Sequence, residues 1–367
     1  MQGQFLTQGP MLEAFEFALA RTLGAKNAIV CNSGTAALHL AYLALDLGVD
    51  RGLLTSPITF LATASAARMC GAPVVFADVD PVMGNLTPDM VKAALSSTKE
   101  RIAAVTAIHV GGRPCDMPEL RKLTNERGLA LIEDACHAPL ASYRGLNGES
   151  HYVGACAHSD IAVFSFHPIK HVAMGEGGAV LTNDVKIAER VRTLRNHGMT
   201  RDPRTWVNAP EPDAPWYYEM HEIGWNYRAC EMQCALGLSQ LARVEDGIHR
   251  RRHIAGQYDR LLSGLNHLTP PPPSEGNVWH LYPIAIDFEA VGKTRGQLMT
   301  ALAARGIETQ VHYIPVNRQP YYESLGANAT PGADLYYQRT LSIPMYPGLS
   351  DVDVKYIADS IRDVLCY

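Results

Sequence analysis

The sequence is poor in charged residues, which make up only 19% of its 367 positions. The 32 Lys and Arg are outnumbered by 37 Asp and Glu, which gives a formal net charge of −5. Binding of nucleic acid through bulk charge needs a basic excess on at least one face, so that class of function has no support. No run of about 18 apolar residues occurs, which excludes a membrane-spanning helix. The first ten residues also lack the basic-then-apolar pattern of a signal peptide.

Eight cysteines are present, and none of them forms a C-x-x-C pair. Their scatter along a long chain favours reduced thiols in a cytoplasmic protein over a disulfide framework or a structural zinc site. Cys230 and Cys234 lie one helical turn apart and could share a metal, but packing as small apolar side chains is the favoured interpretation. The eight positions are Cys31, Cys70, Cys115, Cys136, Cys156, Cys230, Cys234 and Cys366.

Short apolar runs alternate with helix-like stretches between about residues 25 and 185. This alternation predicts βαβ units and an α/β fold, with a mostly parallel sheet flanked by helices. Ligands of such sheets bind beyond the carboxyl ends of the strands, so the residues that follow each strand are the candidates for chemistry. We predict strands at 28–31, 53–55, 73–77, 102–108, 129–132 and 161–165, and helices at 34–47, at 118–127 and from residue 57.

The last third of the sequence predicts a second, smaller α+β domain. A long helix over 231–254 leaves the first domain, and the prolines at 270–273 begin the second. We therefore divide the chain into a large domain, 1–245, and a small C-terminal domain, 246–367. In the small domain we predict strands at 281–286 and 307–312 and helices at 296–305 and 352–364.

The segment Asn-Ser-Gly-Thr at 32–35 joins a predicted strand to a predicted helix. Hydroxyls and free N–H groups at a helix N-terminus bind phosphate well. Ser and Thr are also favoured as ordinary N-caps, with no ligand involved. The sequence leaves a phosphate site and a simple cap as even alternatives.

A second polar segment, Glu-Asp-Ala-Cys-His at 133–137, follows the strand at 129–132. Asp134 could pair with a protonated ring nitrogen, act as a base or bind a metal. Metal binding by Asp134 and His137 lacks a third ligand at a recognisable spacing, so we predict no metal site. Three further histidines are interpreted as strand-end polar residues rather than ligands: His158, His167 and His171.

Lys170 follows the apolar strand at 161–165 and precedes the flexible Gly-Glu-Gly-Gly at 175–178. In a partly dry site its amine becomes a nucleophile for aldehydes. The alternative is a lysine whose ammonium reaches solvent, the usual fate of an isolated Lys. The nearby candidates for a phosphate turn and a strand-end acid favour the nucleophile.

These parts together are what pyridoxal 5′-phosphate (PLP) requires. The cofactor needs a lysine, an acid beside its pyridine nitrogen, a phosphate cradle and an aromatic face. Phe60 is the candidate for that face, although its spacing alone favours packing in the core. Arg228 could bind a carboxylate with both arms of its guanidinium, or lie on the surface.

Five segments together resemble the DegT/DnrJ/EryC1/StrS family of sugar aminotransferases, which are PLP-dependent enzymes of fold type I. The resemblance runs over nearly the whole chain. The segments are Asn-Ser-Gly-Thr-Ala-Ala-Leu at 32–38, Glu-Asp-Ala-Cys-His at 133–137, Phe-Ser-Phe-His-Pro-Ile-Lys at 164–170, Gly-Glu-Gly-Gly at 175–178 and Asn-Tyr-Arg at 226–228.

The resemblance implies a role for each matching residue. Lys170 forms the Schiff base with the cofactor and moves the proton, and Asp134 pairs with the pyridine nitrogen. Asn226 reaches the phosphate from the partner subunit, which implies a homodimer with shared active sites. The implied cofactor-binding residues are Ser33, Gly34, Thr35, Phe60, Asp134, His137, Ser165, Lys170 and Asn226. The implied substrate-binding residues are Arg228, His312 and Tyr313.

Further stretches resemble the pseudaminic-acid branch of the family, and they lie at 6–9, 55–60, 215–220, 234–240 and 310–315. That branch moves the amino group of L-glutamate to C4 of a UDP-linked 4-keto-6-deoxy-N-acetyl-hexose. The alternatives are another keto-sugar nucleotide (a dTDP-sugar, amination at C3, or a legionaminic or bacillosamine precursor) and a non-catalytic PLP-binding regulator. Relatives begin with an additional segment, so we expect that a strand or helix which joins their small domain is missing here.

Overall fold

A seven-stranded sheet forms the centre of the large domain in the computed structural model, which describes residues 6–208 and 214–366. The strand order across the sheet is β1-β9-β8-β5-β4-β2-β3. The strands are β1 Asn27–Cys31, β2 Gly52–Thr55, β3 Val74–Phe76, β4 Ile102–Ile108, β5 Ala130–Asp134, β8 Ile161–Ser165 and β9 Gly178–Thr182. Two short two-stranded sheets lie outside this sheet: β6 Ser142–Arg144 with β7 Ser150–Tyr152, and β10 Met199–Thr200 with β11 Glu219–Met220.

The prediction of a mostly parallel sheet is confirmed. Strands β3, β2, β4, β5 and β8 pair in parallel, and β9 is the one antiparallel strand, between β8 and β1. Residues alternate between the two faces of the sheet. In β8, Ile161 and Val163 contact one hydrophobic cluster, while Ala162 and Phe164 contact another. Both faces are therefore covered, as expected of a parallel sheet in an α/β protein.

Helices from both sides of the sheet supply these clusters. Leu38 of the helix α2, Gly34–Ala44, belongs to one cluster, and Phe15 of the helix α1, Pro10–Leu23, belongs to the other. Gly9 precedes Pro10 at the start of α1, and Gly24 ends it in the left-handed conformation, a common pattern of helix ends. The helices up to β10 are α1 Pro10–Leu23, α2 Gly34–Ala44, α3 Leu61–Met69, α4 Pro88–Ser97, α5 Met117–Arg127 and α6 Val185–Arg195.

The C-terminal part forms the smaller α+β unit that the sequence predicts. Its three antiparallel strands are β12 Leu268–Thr269, β13 Tyr282–Ile286 and β14 Thr340–Ile343. A cluster of buried aliphatic and aromatic residues joins this sheet to its helices. The helices from β11 onward are α7 Glu231–Leu241, α8 Val244–Leu262, α9 Phe288–Val291, α10 Arg295–Ala303, α11 Pro320–Ser324, α12 Pro331–Arg339 and α13 Asp351–Cys366.

Two predicted elements are wrong in this part of the chain. The helix expected over 231–254 is two helices, because Arg243 leaves the helical conformation (φ −117°, ψ 4°) between α7 and α8. The strand expected over 307–312 is a single bridge at Gln310, whose backbone exchanges hydrogen bonds with Ser342 (3.0 and 2.8 Å). The bridge is isolated, and the amide of the next residue, Val311, donates to the side chain of Gln310 (2.9 Å).

The predicted domain boundary at 245 falls near the start of α8. Val244 and Ile248 belong to the core of the large domain, whereas Tyr258 and Leu262 belong to the core of the small one. One continuous helix thus joins the two cores, and the boundary stays a prediction. Among the helices of the described ranges, none combines the length and the hydrophobicity needed to cross a bilayer.

We expect Phe15→Ala to lower the free energy of unfolding by about 3 to 5 kcal/mol, because it empties a fully buried position. The Phe15 ring packs edge-on against Phe166, with centroids 5.4 Å apart. Phe17 on the same helix is 70% exposed, so Phe17→Ala is the matched control, with an expected change below about 0.5 kcal/mol. Chemical denaturation followed by fluorescence and circular dichroism measures both. Equal losses in the two variants would contradict the packing described here.

Candidate active site

A cavity of about 690 Å³ opens at the carboxyl ends of the central strands. Its volume lies within the usual range of small-molecule sites. Ser33 follows β1, Asp134 ends β5 and Ser165 ends β8, and all three line the cavity. His312 and Tyr313 close it from the small domain. The location is the one expected for ligands of an open α/β sheet.

The turn at Ser33 and Gly34 is held against two other strands. The Ala36 amide donates to the Ser33 hydroxyl (3.1 Å), so Ser33 is the N-cap of α2. A Cβ on Gly34 would lie 2.8 Å from Cβ of Ser165, and one on Gly178 would lie 2.2 Å from the carbonyl oxygen of Ser33. Only glycines allow this approach, which leaves the first turn of α2 and the Ser165 hydroxyl side by side at the cavity. The cap is confirmed, and the phosphate site stays a prediction that this cradle supports.

Asp134 is 5% exposed, and both oxygens of its carboxylate accept hydrogen bonds. Thr63 donates its hydroxyl to Oδ2 (2.7 Å), and the Cys136 amide donates to Oδ1 (3.3 Å). Glu133, the neighbouring acid, faces the other side of β5, where it accepts hydrogen bonds from Ser159 and His109. Of the two acids in the segment, only Asp134 therefore lines the cavity.

Lys170 lines the same cavity as Asp134. It ends a turn in which its backbone amide donates to the His167 carbonyl oxygen (2.9 Å). Burial lowers the pKa of its ammonium below the ordinary lysine value, although the neighbouring Asp134 opposes the shift. A larger fraction of the side chain is therefore a neutral amine near neutral pH than in an exposed lysine. The side chain is half-buried and lines the cavity, which supports the nucleophile over a lysine on the outer surface.

A hydrogen-bond chain fixes the protonation of His137. The Gly111 amide donates to Nδ1 of His137 (3.3 Å), so the ring proton lies on Nε2, which is 3.1 Å from the Tyr313 hydroxyl. Burial also holds the pKa of His137 well below its usual value, so the ring is neutral. Because Nε2 donates to the Tyr313 oxygen, the hydroxyl proton of Tyr313 is free to be donated into the cavity.

Phe60 is 60% exposed and lines the cavity, so the expectation that it packs in the core is wrong. It is the N-cap residue of α3 and has an extended backbone conformation. Its ring centroid lies 6.4 Å from that of Tyr313. The ring is therefore available to cover one face of a bound ligand.

Two predicted residues lie away from the cavity within one chain. Asn226 is exposed, and its backbone bridges Asn196. Arg228 donates to the side-chain oxygen of Asn196 (2.5 Å). Their roles in binding the phosphate and a carboxylate stay predictions. Neither residue lines the cavity of its own chain. The other implied residues all line the cavity: Ser33, Gly34, Thr35, Phe60, Asp134, His137, Ser165, Lys170, His312 and Tyr313.

Sequence reasoning missed the residues whose side chains lack a distinctive type or spacing. Thr63, on the first turns of α3, is the residue that fixes Asp134. Thr59 extends this contact, because its hydroxyl lies 2.7 Å from that of Thr63. Gln310 and Gln319 contribute amides from the small domain. No local pattern marks a threonine or a glutamine as functional, so only the folded structure identifies them.

The seven cysteines whose side chains the structure describes are free thiols. Cys234 is fully buried in the core that contains Phe15, which favours packing over a shared metal with Cys230. Cys136 lines the cavity, and burial raises the pKa of its thiol well above the usual value. The thiol therefore stays protonated at neutral pH, and it is a poor nucleophile beside the amine of Lys170.

Comparison with known proteins agrees with this geometry. Residues 1–362 match the sequence model of the DegT/DnrJ/EryC1/StrS aminotransferase family. The spore coat polysaccharide biosynthesis protein SpsC of Bacillus subtilis is 38% identical, over 100% of this chain and 92% of that protein. The UDP-4-amino-4,6-dideoxy-N-acetyl-beta-L-altrosamine transaminase of Campylobacter jejuni is 34% identical, again over 100% and 92%.

A solved structure has the same fold. Helicobacter pylori PseC, described as an aminotransferase involved in the biosynthesis of pseudoaminic acid, superposes with a TM-score of 0.88 at 30% identity. The match covers 99% of this chain and 93% of that one. The chain therefore has the fold of PLP-dependent transferases of type I, as predicted.

The lowered pKa of Lys170 predicts that its amine reacts with aldehydes at lower pH than an exposed lysine does, because deprotonation precedes attack. Treatment with hydroxylamine followed by dialysis first removes any aldehyde bound to lysine. The protein is then reductively methylated at a series of pH values, and peptide mass spectrometry gives the pH at which each lysine is half labelled. Lys186, which is exposed, serves as the internal control. A Lys170 midpoint at or above that of Lys186 would contradict the buried position of its amine.

Proposed function

The chain belongs to the DegT/DnrJ/EryC1/StrS aminotransferase family, and we propose that it uses PLP as its cofactor. In this proposal it moves the amino group of L-glutamate to C4 of a UDP-linked 4-keto-6-deoxy-N-acetyl-hexose. The observation that carries this proposal is the convergence of Lys170, Asp134 and the Ser33 turn in one cavity. The names of the Campylobacter transaminase and of PseC support the sugar and the pathway of pseudaminic acid.

The residues of the cavity fit the four parts of PLP that a protein has to bind: the phosphate, the pyridine nitrogen, the ring face and the aldehyde. The first turn of α2 with the Ser165 hydroxyl offers backbone and hydroxyl donors to a phosphate, in a cradle that a Cβ at Gly34 would fill. The fixed carboxylate of Asp134 suits a protonated pyridine nitrogen. Phe60 offers an aromatic face, and Lys170 an amine of lowered pKa. When bound, PLP supplies an aldehyde that takes up amines and a ring that withdraws electrons.

Lys170 is the residue that moves protons in this proposal. Its amine is neutral more often than that of an exposed lysine, so it can take a proton from one carbon and return it to a neighbouring atom. Thr63 and the Cys136 amide fix the orientation of the Asp134 side chain, and a fixed carboxylate favours a cationic partner. Both halves of a transamination need the same proton transfer, so Lys170 acts in each.

Tyr313 is proposed to orient the substrate. Its hydroxyl accepts from Nε2 of His137 and presents its own proton to the cavity. Burial raises the pKa of the phenol above its ordinary range, so the group remains a hydrogen-bond donor at neutral pH. A hydroxyl or carbonyl oxygen of the sugar, or a carboxylate of glutamate, is the kind of acceptor that fits it.

A homodimer with shared active sites is part of the proposal. Phe60 and Ile169 line the cavity and are 60% and 64% exposed, which leaves apolar surface at its rim. Exposed apolar patches of this kind are typical of interfaces. Asn226 and Arg228, which lie outside the cavity of their own chain, would complete the phosphate and carboxylate sites of the partner. Free thiols support a cytoplasmic location.

A different keto-sugar nucleotide is the second candidate substrate. It is favoured by one observation: SpsC, whose name specifies a spore coat polysaccharide, shares 38% of its residues with this chain, against 34% for the Campylobacter transaminase. Identity at this level does not distinguish between sugars that differ at one carbon. The alternatives are a dTDP-linked sugar and amination at C3.

Turnover of a panel of keto-sugar nucleotides tests the proposal. We expect the UDP-linked 4-keto-6-deoxy-N-acetyl-hexose to be aminated with the highest kcat/KM, and L-glutamate to be the preferred donor. Lys170→Ala should lower kcat by at least about 10³-fold, since it removes the amine that moves the proton, whereas the exposed Lys186→Ala should leave it unchanged. A preferred dTDP-sugar would replace the substrate, and full activity of Lys170→Ala would overturn the mechanism.

Mixed dimers test the shared active site. Suppose that Asn226 completes the cavity of the partner. A dimer of one Lys170→Ala protomer and one Asn226→Ala protomer then has one intact site, which contains Lys170 of the second protomer and Asn226 of the first. Unfolding and refolding an equal mixture should therefore restore about a quarter of wild-type activity at limiting PLP, because half of the dimers are mixed. If Asn226 serves its own chain, every site in the mixture is defective. In that case the activity would equal the mean of the two separate variants.

A further inference from the structure

We propose that Glu149, His151 and His158 bind a divalent transition-metal ion, with zinc as the best match, at a site separate from the catalytic cavity. We call these three residues the hairpin site, because Glu149 and His151 lie at the second strand of the β6–β7 hairpin and His158 lies beyond it. None of the three lines the catalytic cavity.

The three side chains already stand close to a coordinating arrangement. One ligand atom from each lies within 4.8 Å of the others. In a tetrahedral zinc site with bonds of about 2.0 to 2.1 Å, neighbouring ligand atoms are about 3.4 Å apart. Nε2 of His151 and Oε1 of Glu149 are 3.2 Å apart, so these two ligand atoms already have nearly the spacing of a zinc site. His158 has to approach by at most about 1.4 Å, a shift within the reach of side-chain rotation.

The Glu149 carboxylate is held by the hairpin turn itself. The Asn147 amide donates to Oε2 (3.1 Å), which leaves Oε1 toward His151. A Cβ on Gly145 would lie 2.2 Å from Oε1, so a side chain at residue 145 would displace the carboxylate from its present position. The hydrogen bond from the Asn147 amide thus orients the carboxylate so that its other oxygen, Oε1, would bind the metal.

The His158 imidazole is oriented by a neighbouring phenol. The Tyr143 hydroxyl lies 3.2 Å from Nδ1, and the Arg121 guanidinium holds the backbone of His158 through its carbonyl oxygen (3.1 Å). Metal-bound histidines usually carry such a partner on the second ring nitrogen, because it fixes the ring orientation. The ring of His151 lies edge-on to that of His158, with centroids 5.0 Å apart.

The chemistry of the set favours zinc over calcium or magnesium. Two imidazoles and one carboxylate match the ligands of zinc and its neighbours, whereas calcium and magnesium prefer oxygen alone. The Glu149 side chain is 42% exposed, so an ion can enter from solvent and keep a water as its fourth ligand.

A bound ion would join the hairpin to the segment that leads into β8. The hairpin also contacts the chain near the start of the small domain: the Ser142 amide donates to the Gly276 carbonyl oxygen (3.1 Å), and Arg144 pairs with Glu275 (2.8 Å). We therefore expect zinc to stabilise this region and to leave turnover unaffected. From the sequence, His158 groups with His167 and His171, and its position beside His151 is visible only in the folded chain.

Isothermal titration of the chelator-treated holoenzyme with ZnCl2 tests the hairpin site. We expect one Zn²⁺ per chain, with a dissociation constant below about 10 µM. His151→Gln and His158→Gln should each weaken this binding by at least about 100-fold, since loss of a ligand exceeds the 10- to 100-fold effect of losing a supporting group. His249→Gln, an exposed histidine on α8, is the matched control and should bind as the wild type does.

A second pair of variants keeps all three ligands. Gly145→Ala displaces Oε1 of Glu149, and Tyr143→Phe removes the partner of His158, so each should weaken zinc binding by about 10-fold while circular dichroism remains unchanged. Absence of zinc binding in the wild type would overturn the proposal. So would equal affinity in the wild type, His151→Gln and His158→Gln, or a loss confined to one of these two variants.

Discussion

The parallel pairing of β5 with β8 sets the relative positions of the acid, the phosphate turn and the segment that leads to Lys170. Its register places Asp134 opposite Val163, so that Ser165 lies two residues further along the neighbouring strand. The antiparallel pairing of β8 with β9 then brings Gly178 opposite Ser165 and against the Ser33 turn. A shift of one residue in β5 would turn Asp134 to the other face of the sheet, where Glu133 now contacts His109. One set of backbone hydrogen bonds therefore positions the acid, the phosphate turn and the approach to the lysine together.

The electrostatics of the cavity follow from burial rather than from the charge of the whole chain. A protein of net charge −5 attracts phosphorylated and dicarboxylate ligands only through local groups. The first turn of α2 and the Ser165 hydroxyl supply dipoles, and burial brings the amine of Lys170 toward its neutral form. The same burial keeps His137 neutral, and the Gly111 amide selects its tautomer. The cavity thus combines one fixed carboxylate with donors whose protonation states are set by their surroundings.

The sequence predicted the parts of this arrangement that depend on local patterns. Strand ends and the order of residue types identified Asp134, Lys170 and the Ser33 turn, because a parallel sheet brings the carboxyl ends of its strands to one edge. Spacing could not predict that Phe60 caps α3 and faces outward, since an aromatic residue after a strand is more often core. Nor could it show that Gln310 makes one isolated bridge to Ser342 rather than part of a strand, because that pairing joins residues far apart in the sequence. Thr63 acts only through its contact with Asp134, which no local signal marks.

Reduction of the PLP-loaded protein with borohydride, followed by peptide mass mapping, tests the central claim most directly. The claim is that the buried amine in the cavity with Asp134 is the one that takes the cofactor's aldehyde. We predict a pyridoxyl group on Lys170 and on no other lysine, in an amount equal to the bound cofactor. A pyridoxyl group on another lysine, or a bound cofactor that leaves Lys170 unmodified, would contradict the claim.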